Sequence, residues 1–204
     1  MALTKVDISM LEDAGSSGQV LTSDGTNWTS AAAAAGGAWA VVSSGTASAV
    51  SSIAFTDVST TKVKKIILSD QYGMTNWMGI RASTDTGGSP TWDTGTNYTF
   101  NGIWTGNASL VHVYSSDDNY VLLSDPNHTG SEQSGYTEIT IDVSPAARYT
   151  NFMINGTAWQ HGQAYHGTRY SFAGTWESTD VLNAVNIVNY AGSLTCNYML
   201  LELN

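Results

Sequence analysis

From Ala38 onward, apolar and polar residues alternate. The cleanest run is Thr137, Ile139, Ile141 and Val143 interleaved with Glu138, Thr140 and Asp142. A period of two sends successive side chains to opposite faces of a pleated strand, so one face is built for burial and the other for water. Met199, Leu201 and Leu203 line one face of the terminal segment, opposite Tyr198, Leu200 and Glu202. Val63-Lys64-Lys65-Ile66-Ile67-Leu68 starts half wet and ends apolar on both faces. Further strand candidates lie at 38–43, 50–56, 76–83, 97–104, 109–114, 119–124, 149–158, 167–173 and 181–190. Many short strands separated by polar turns predict an all-β, jelly-roll-like antiparallel sandwich over 38–204. No fixed-period repeat occurs, which argues against a propeller or solenoid.

Composition points the same way. Ser and Thr total 49 of the 204 residues, with 20 Gly and 14 Asn. Charged residues make up 12%, about half the usual share. Helix-forming Glu and Lys are scarce, so long helices are disfavoured. The net charge of −10 argues against nucleic-acid partners, which need clustered Lys and Arg for phosphates. Three of the lysines, Lys62, Lys64 and Lys65, read as an edge-strand or rim feature, because lysines blunt exposed sheet edges. Cys196 is the only cysteine, which suits a reducing compartment and reads as a small buried apolar residue. No apolar stretch is long enough to span a bilayer, so no membrane insertion is expected. Nor does the N-terminus carry the hydrophobic core of a signal peptide. Five Asn-x-Ser/Thr sequons, at Asn27, Asn97, Asn107, Asn127 and Asn155, are ordinary chance in such a composition.

The first 37 residues follow different rules. Leu3, Val6, Met10 and Leu11 fall on one helical face between residues 3 and 13. A face that short cannot stand alone. Val20 and Leu21 form an apolar pair, Ser23-Asp24-Gly25 is a turn signal, and Trp28 returns a ring towards the pair. That predicts a small hairpin, which is marginal in water by itself. The Ala31–Ala35 run with Gly36-Gly37 reads as part of a hinge over 29–37.

The ordered motif Gly18-Gln19-Val20-Leu21-Thr22-Ser23-Asp24-Gly25-Thr26-Asn27-Trp28, with its lead and small-residue linker, resembles the N-terminal attachment segment of bacteriophage tail-fibre and virion-appendage proteins. Three stretches further on are similar to the β-sandwich module at the ends of phage fibres: Lys64–Asp70, Ile80–Ser89 running on to Asn97-Tyr98, and Val185-Asn186-Ile187 with Gly192-Ser193-Leu194. That module usually ends in a Leu-Tyr-Gly-like tail, where this chain reads Leu200-Leu201-Glu202-Leu203-Asn204, so no module type is assigned. The resemblance implies a virion protein assembled in a bacterial cytoplasm. Residues 1–37 would dock on another virion protein, the extended or short-helical anchor being Leu3, Val6, Met10, Leu11, Val20, Leu21 and Trp28. It also implies a homotrimer whose heads bind a host-surface glycan. A decoration or head fibre that binds no receptor, and a glycan-degrading tail protein, are the alternatives.

Reactive constellations are sparse. Ser83-Thr84-Asp85-Thr86-Gly87-Gly88 with Thr91-Trp92 is close to the Asp-box turn of sialidase propellers, and reads as a Gly-rich turn fixed by an Asp side chain. Asp117-Asp118-Asn119 offers oxygens of the kind Ca²⁺ prefers, but reads as a hairpin turn. His161 and His166 flank a Gly-containing loop, yet no Cys or acid completes a tetrahedral zinc set nearby; the resemblance leaves an ion on a trimer axis open. A glycosidase needs two acids across a cleft, and Asp85, Asp93, Glu132, Glu177 and Asp180 lie in turn-like contexts that single out no pair. No Gly-x-Ser-x-Gly elbow occurs. No catalytic residue, metal or cofactor is therefore expected. Trp39, Trp77, Phe152 and Phe172 sit in strand patterns and read as core. Trp92, Trp104, Trp159 and Trp176 sit at or beside turn-rich segments and read as exposed rings; Trp92, Trp104 and Trp159, with His161, Tyr165 and His166, read as a sugar-stacking set.

Overall fold

The computed structural model describes residues 19–23, 28–32, 38–56, 58, 62–74, 77–106, 109–123, 133–142, 148–160 and 168–204. Every regular element among them is a strand: β1 (Gln19–Ser23), β2 (Trp28–Ala32), β3 (Trp39–Val50), β4 (Ser52–Phe55), β5 (Lys64–Met74), β6 (Met78–Ser83), β7 (Tyr98–Gly106), β8 (Ser109–Asp118), β9 (Val121–Leu122), β10 (Gln133–Asp142), β11 (Thr150–Gln160), β12 (Thr168–Trp176), β13 (Ala184–Asn189) and β14 (Gly192–Leu203). Among the described residues, no helix is long and apolar enough to cross a membrane.

The chain divides into two compact units, Met1–Ala38 and Trp39–Asn204. In the first, β1 and β2 pair antiparallel, with Ser23 opposite Trp28 and Gln19 opposite Ala32. The second of these strands extends into the alanine run that sequence assigned to the hinge; the Asp24-Gly25 turn signal lies outside the described residues. The helical face expected from Leu3, Val6, Met10 and Leu11 lies outside the described residues. Val20, Leu21 and Trp28 are placed as strand positions only.

The second unit is an antiparallel sandwich. Its larger sheet has eight strands in the order β3-β14-β5-β10-β11-β12-β7-β8, and its smaller sheet four, β4-β13-β6-β9. The chain repeatedly steps between them, so inward-facing residues from both sheets meet. Ile66, Leu68, Ile139, Ile141, Phe152, Ile154 and Phe172 bury the inner face of the large sheet. Ile53, Phe55, Ile80, Val121, Val185 and Ile187 answer from the small one. Each side chain taken out of water stabilises by about 1.5–3 kcal/mol relative to exposure. The sheets also touch through polar atoms: the Ala82 amide on β6 donates to the Tyr98 hydroxyl on β7 at 2.8 Å.

Glycine is used in the large sheet where a ring must lie flat across a neighbouring strand. Gly156 stands opposite Tyr170 and Gly102 opposite Phe172. A Cβ on either would meet that ring at 2.2 and 2.1 Å. The missing side chains are what let the rings fill the inner face.

Three sequence readings are corrected. Lys64 and Lys65 do not blunt an edge, because β5 lies inside the sheet between β14 and β10. Lys64 is buried and ion-paired with Glu202, which Lys62 also reaches at 2.9 Å; Lys65 lies 4.8 Å over the Trp39 ring. Trp176, placed beside a turn from sequence, is one of the largest fully buried side chains. Trp104, two residues from the end of β7, is likewise not an exposed ring: it packs, half-buried, on the core.

Candidate functional site

The outer face of the large sheet is polar where the inner is apolar, because alternation forces the two faces apart. On β10, β11, β12 and β7 the outward residues fall into cross-strand rows. One row runs Tyr136, Thr157, Arg169, Thr105. The next runs Glu138, Asn155, Ser171, Ile103. Together they line a recess of about 450 Å³. Its floor carries short side chains, Asn155, Thr157 and Ser171, over the backbone at Gly156, and its walls are Tyr136 with Glu138 on one side and Ile103 with Thr105 on the other. Adjacent strands are about 4.8 Å apart, so the four strands span about 14 Å.

Hydrogen bonds fix part of this surface. The Ser171 hydroxyl donates to Asn155 Oδ1 at 2.8 Å. The Arg169 amide donates to Thr105 Oγ1 at 3.3 Å. Glu138 is held from two sides, by Lys65 Nζ at 2.7 Å on Oε1 and by the Tyr136 hydroxyl at 3.1 Å on Oε2. The Lys65 contact lowers the Glu138 carboxyl from its usual value against the effect of partial burial, and Tyr136 adds to the lowering. Partial burial, followed by its bond to the Glu138 carboxylate, raises the Tyr136 phenol. Glu138 is thus an ionised acid with both oxygens engaged. Arg169, by contrast, has no ion-pair partner among the described residues. Arginine presents a planar fork of donors suited to bidentate recognition of carboxylate or phosphate.

A polar network supports this face from beneath. The Gln71 amide donates to Thr137 Oγ1 at 2.7 Å and to the Leu68 carbonyl at 3.1 Å. Thr137 Oγ1 meets the Tyr170 hydroxyl at 2.5 Å, and that hydroxyl donates to the Tyr136 carbonyl at 3.4 Å. Gln71, Thr137 and Tyr170 are all buried.

A second recess, of about 320 Å³, is lined by Asp85, Trp92, Asp93 and Asp180 among others. It brings together three acids and two tryptophans, Trp92 and Trp176, that sequence left scattered at turns. Each acid has at least one oxygen engaged. Asp85 accepts the Thr91 amide at 2.7 Å, which makes the Gly-rich segment a turn fixed by an Asp side chain. Asp93 accepts from Trp176 Nε1 at 2.8 Å, Asn97 Nδ2 at 3.0 Å and the Gly95 amide at 2.8 Å. Burial alone would raise its carboxyl, but these three bonds outweigh it and lower it. Asp180 accepts from the Ser178 hydroxyl at 3.0 Å.

The sugar-stacking residues named from sequence do not come together among the described residues. Trp92 is half-buried in the acidic recess, and Trp104 packs on the core. Trp159 is placed by its backbone alone, opposite Ser134 on β10. His161, Tyr165 and His166 lie outside the described residues. Asp117 and Asp118 end β8 at an irregularity: Asp117 has φ 61°, and Asp118 caps the Asn119 amide at 2.8 Å. Sequence reasoning missed Tyr136, Glu138, Asn155 and Arg169 as one site. Alternation assigns each an outward face, but which strands are neighbours is a long-range property. No protein-family model matches this chain, and no curated protein and no solved structure is significantly similar to it.

Proposed function

We propose that this chain is a bacteriophage virion appendage. Its N-terminal unit attaches to another virion protein, and its sandwich displays the outer-face recess for binding to the host surface. The observation that carries this reading is the attachment-segment motif from Gly18 to Trp28, whose described strands, Gln19–Ser23 and Trp28–Ala32, pair with each other alone among the described residues and fall in a unit of their own. Two strands without a third, or without a packing partner, are marginal in water. A docking protein and sister copies would supply the missing surface. We take the assembly to be a homotrimer, a number that rests on the resemblance. The mechanism is binding rather than catalysis, with repeated heads adding avidity. The bonding of Asp85 and Asp93 to their own loops, and of Asp93 to the buried Trp176, favours structural roles for those acids.

Incorporation and adsorption test the reading together. Particles carrying the full chain should adsorb to host cells. Particles assembled with a chain lacking residues 1–38 should lack the protein altogether. Equal incorporation of the truncated chain would refute the attachment role. Incorporation without any contribution to adsorption would make it a decoration, and release of sugar from host polysaccharide would make it a depolymerase.

A further inference from the structure

We infer that the outer-face recess selects a saccharide bearing an anionic group, carboxylate or phosphate, and that Arg169 reads that charge. The inference deepens the proposed function and rests on the head facing the host surface.

Charge is the first argument. The chain carries a net −10, and a surface of that sign repels anionic ligands in general. The recess departs from that. Among the described residues that line it, the one acid, Glu138, is already matched by Lys65 at 2.7 Å and by the Tyr136 hydroxyl. Arg169, one of only three arginines in the chain, lines the same recess with no ion pair among the described residues. The unmatched charge at this spot is therefore positive. An anion binding beside Arg169 meets no unpaired carboxylate among the described residues of the recess.

Shape and lining chemistry identify the rest of the ligand. Asn155, Thr157, Ser171 and Thr105 present short amides and hydroxyls that both donate and accept. That suits a ring carrying several hydroxyl groups. Tyr136 and Ile103 stand on opposite sides and offer apolar surface to the C–H faces of such a ring. The spacing fits as well. Tyr136 and Arg169 share one row two strands apart, about 10 Å, so a sugar can lie between ring and guanidinium. A protein partner would need a far larger dry patch, and a recess of about 450 Å³ falls within the range of small-ligand sites.

The test measures binding of the full chain to three tetrasaccharides. One is an oligogalacturonate, one the same oligomer with its carboxyls reduced to alcohols, and one the reduced oligomer carrying a phosphate ester. The wild-type chain should prefer one or both anionic forms by about tenfold to a hundredfold, the range for a charge-assisted hydrogen-bond pair. Arg169→Gln should abolish the preference. Arg169→Lys should retain part of it, because lysine keeps the charge but loses the fork. Arg148→Gln, at an exposed position outside the recess, should keep it whole. Which anionic probe binds identifies the source of the charge.

Equal binding of all three sugars overturns the inference, and if Tyr136→Ala weakens that binding, the recess remains a sugar site. Binding of poly-glutamate but of no sugar also overturns it and makes the ligand an acidic protein. Binding of none of these, with particles still adsorbing to cells, overturns it while leaving the attachment reading in place.

Discussion

Thr137→Val removes one hydroxyl from the base of the recess and keeps the side chain's shape. Thr137 is fully buried on the inner face of β10. Its oxygen accepts from Gln71 at 2.7 Å and pairs with Tyr170 at 2.5 Å. With valine in place, the Gln71 amide keeps only the Leu68 carbonyl at 3.1 Å, and the Tyr170 hydroxyl only the long 3.4 Å contact to the Tyr136 carbonyl. Burial pushes the Tyr170 phenol up to about 12, so it stays neutral and cannot escape the loss by ionising. Each stranded buried group costs about 1–3 kcal/mol. Both partners keep a residual contact, so the expected cost is about 2–3 kcal/mol. At about 2–4 °C per kcal/mol for a domain of this size, the melting temperature should fall by about 5–10 °C. Tyr170→Phe should cost about 1–2 kcal/mol, because the Thr137 oxygen keeps its bond from Gln71 and loses only the Tyr170 hydroxyl, and the contact to the Tyr136 carbonyl that also goes is long. The double variant should cost less than the sum, with a coupling on the order of 1 kcal/mol, since the second change removes a group the first has already stranded. Urea titration of all four proteins reads these values. A Thr137→Val variant within about 0.5 kcal/mol of wild type, or strict additivity of the pair, would refute the network.

Three further outcomes are expected. Gly174→Ala would place a Cβ 2.2 Å from Val121 Cγ1 across the sandwich; it should destabilise by about 1–3 kcal/mol, and Val121→Ala in the same chain should recover part of that in urea titrations. Contacts with Lys64 first, and then Lys62, hold the Glu202 carboxyl down to about 2; because the folded value lies below the unfolded one, the stability it contributes is complete above about pH 4.5 and fades as pH falls towards 2. Acid-unfolding curves of Glu202→Gln should be flatter through that window, and curves parallel to wild type would contradict the pairing. Burial raises the Cys196 thiol to about 11, so it should resist an aromatic disulfide reagent at pH 8 in the folded protein and react fully in denaturant; fast native-state reaction would contradict its packing.

Most strands were legible, and the misses have physical causes. Alternation found the middle of β10, but the strand begins at Gln133, where Ser134 and Gly135 give no apolar signal and only the ladder to β11 defines it. Period two also fails where the backbone slips phase. Asp70 adopts φ 53°, which turns Gln71 rather than Asp70 into the core. Asp is among the residues that tolerate that region, but nothing in the local sequence marks the bulge. Lys64 looked like edge chemistry because its ion-pair partner, Glu202, is remote in sequence. Trp176 read as an exposed ring beside a turn because the acid that accepts its indole N–H, Asp93, lies 83 positions away. The recess was invisible for the same reason, as its walls come from strands whose order the sequence does not state.

Hydrogen exchange at the amides of Gln19–Ser23 and Trp28–Ala32 tests the central claim most directly. The claim is that this hairpin gains its stability from the assembly it enters. Its amides should exchange quickly in the purified chain and slow by at least tenfold in assembled particles, while the sandwich amides stay equally protected in both. Strong protection of the hairpin in a purified monomer, unchanged on assembly, would contradict it.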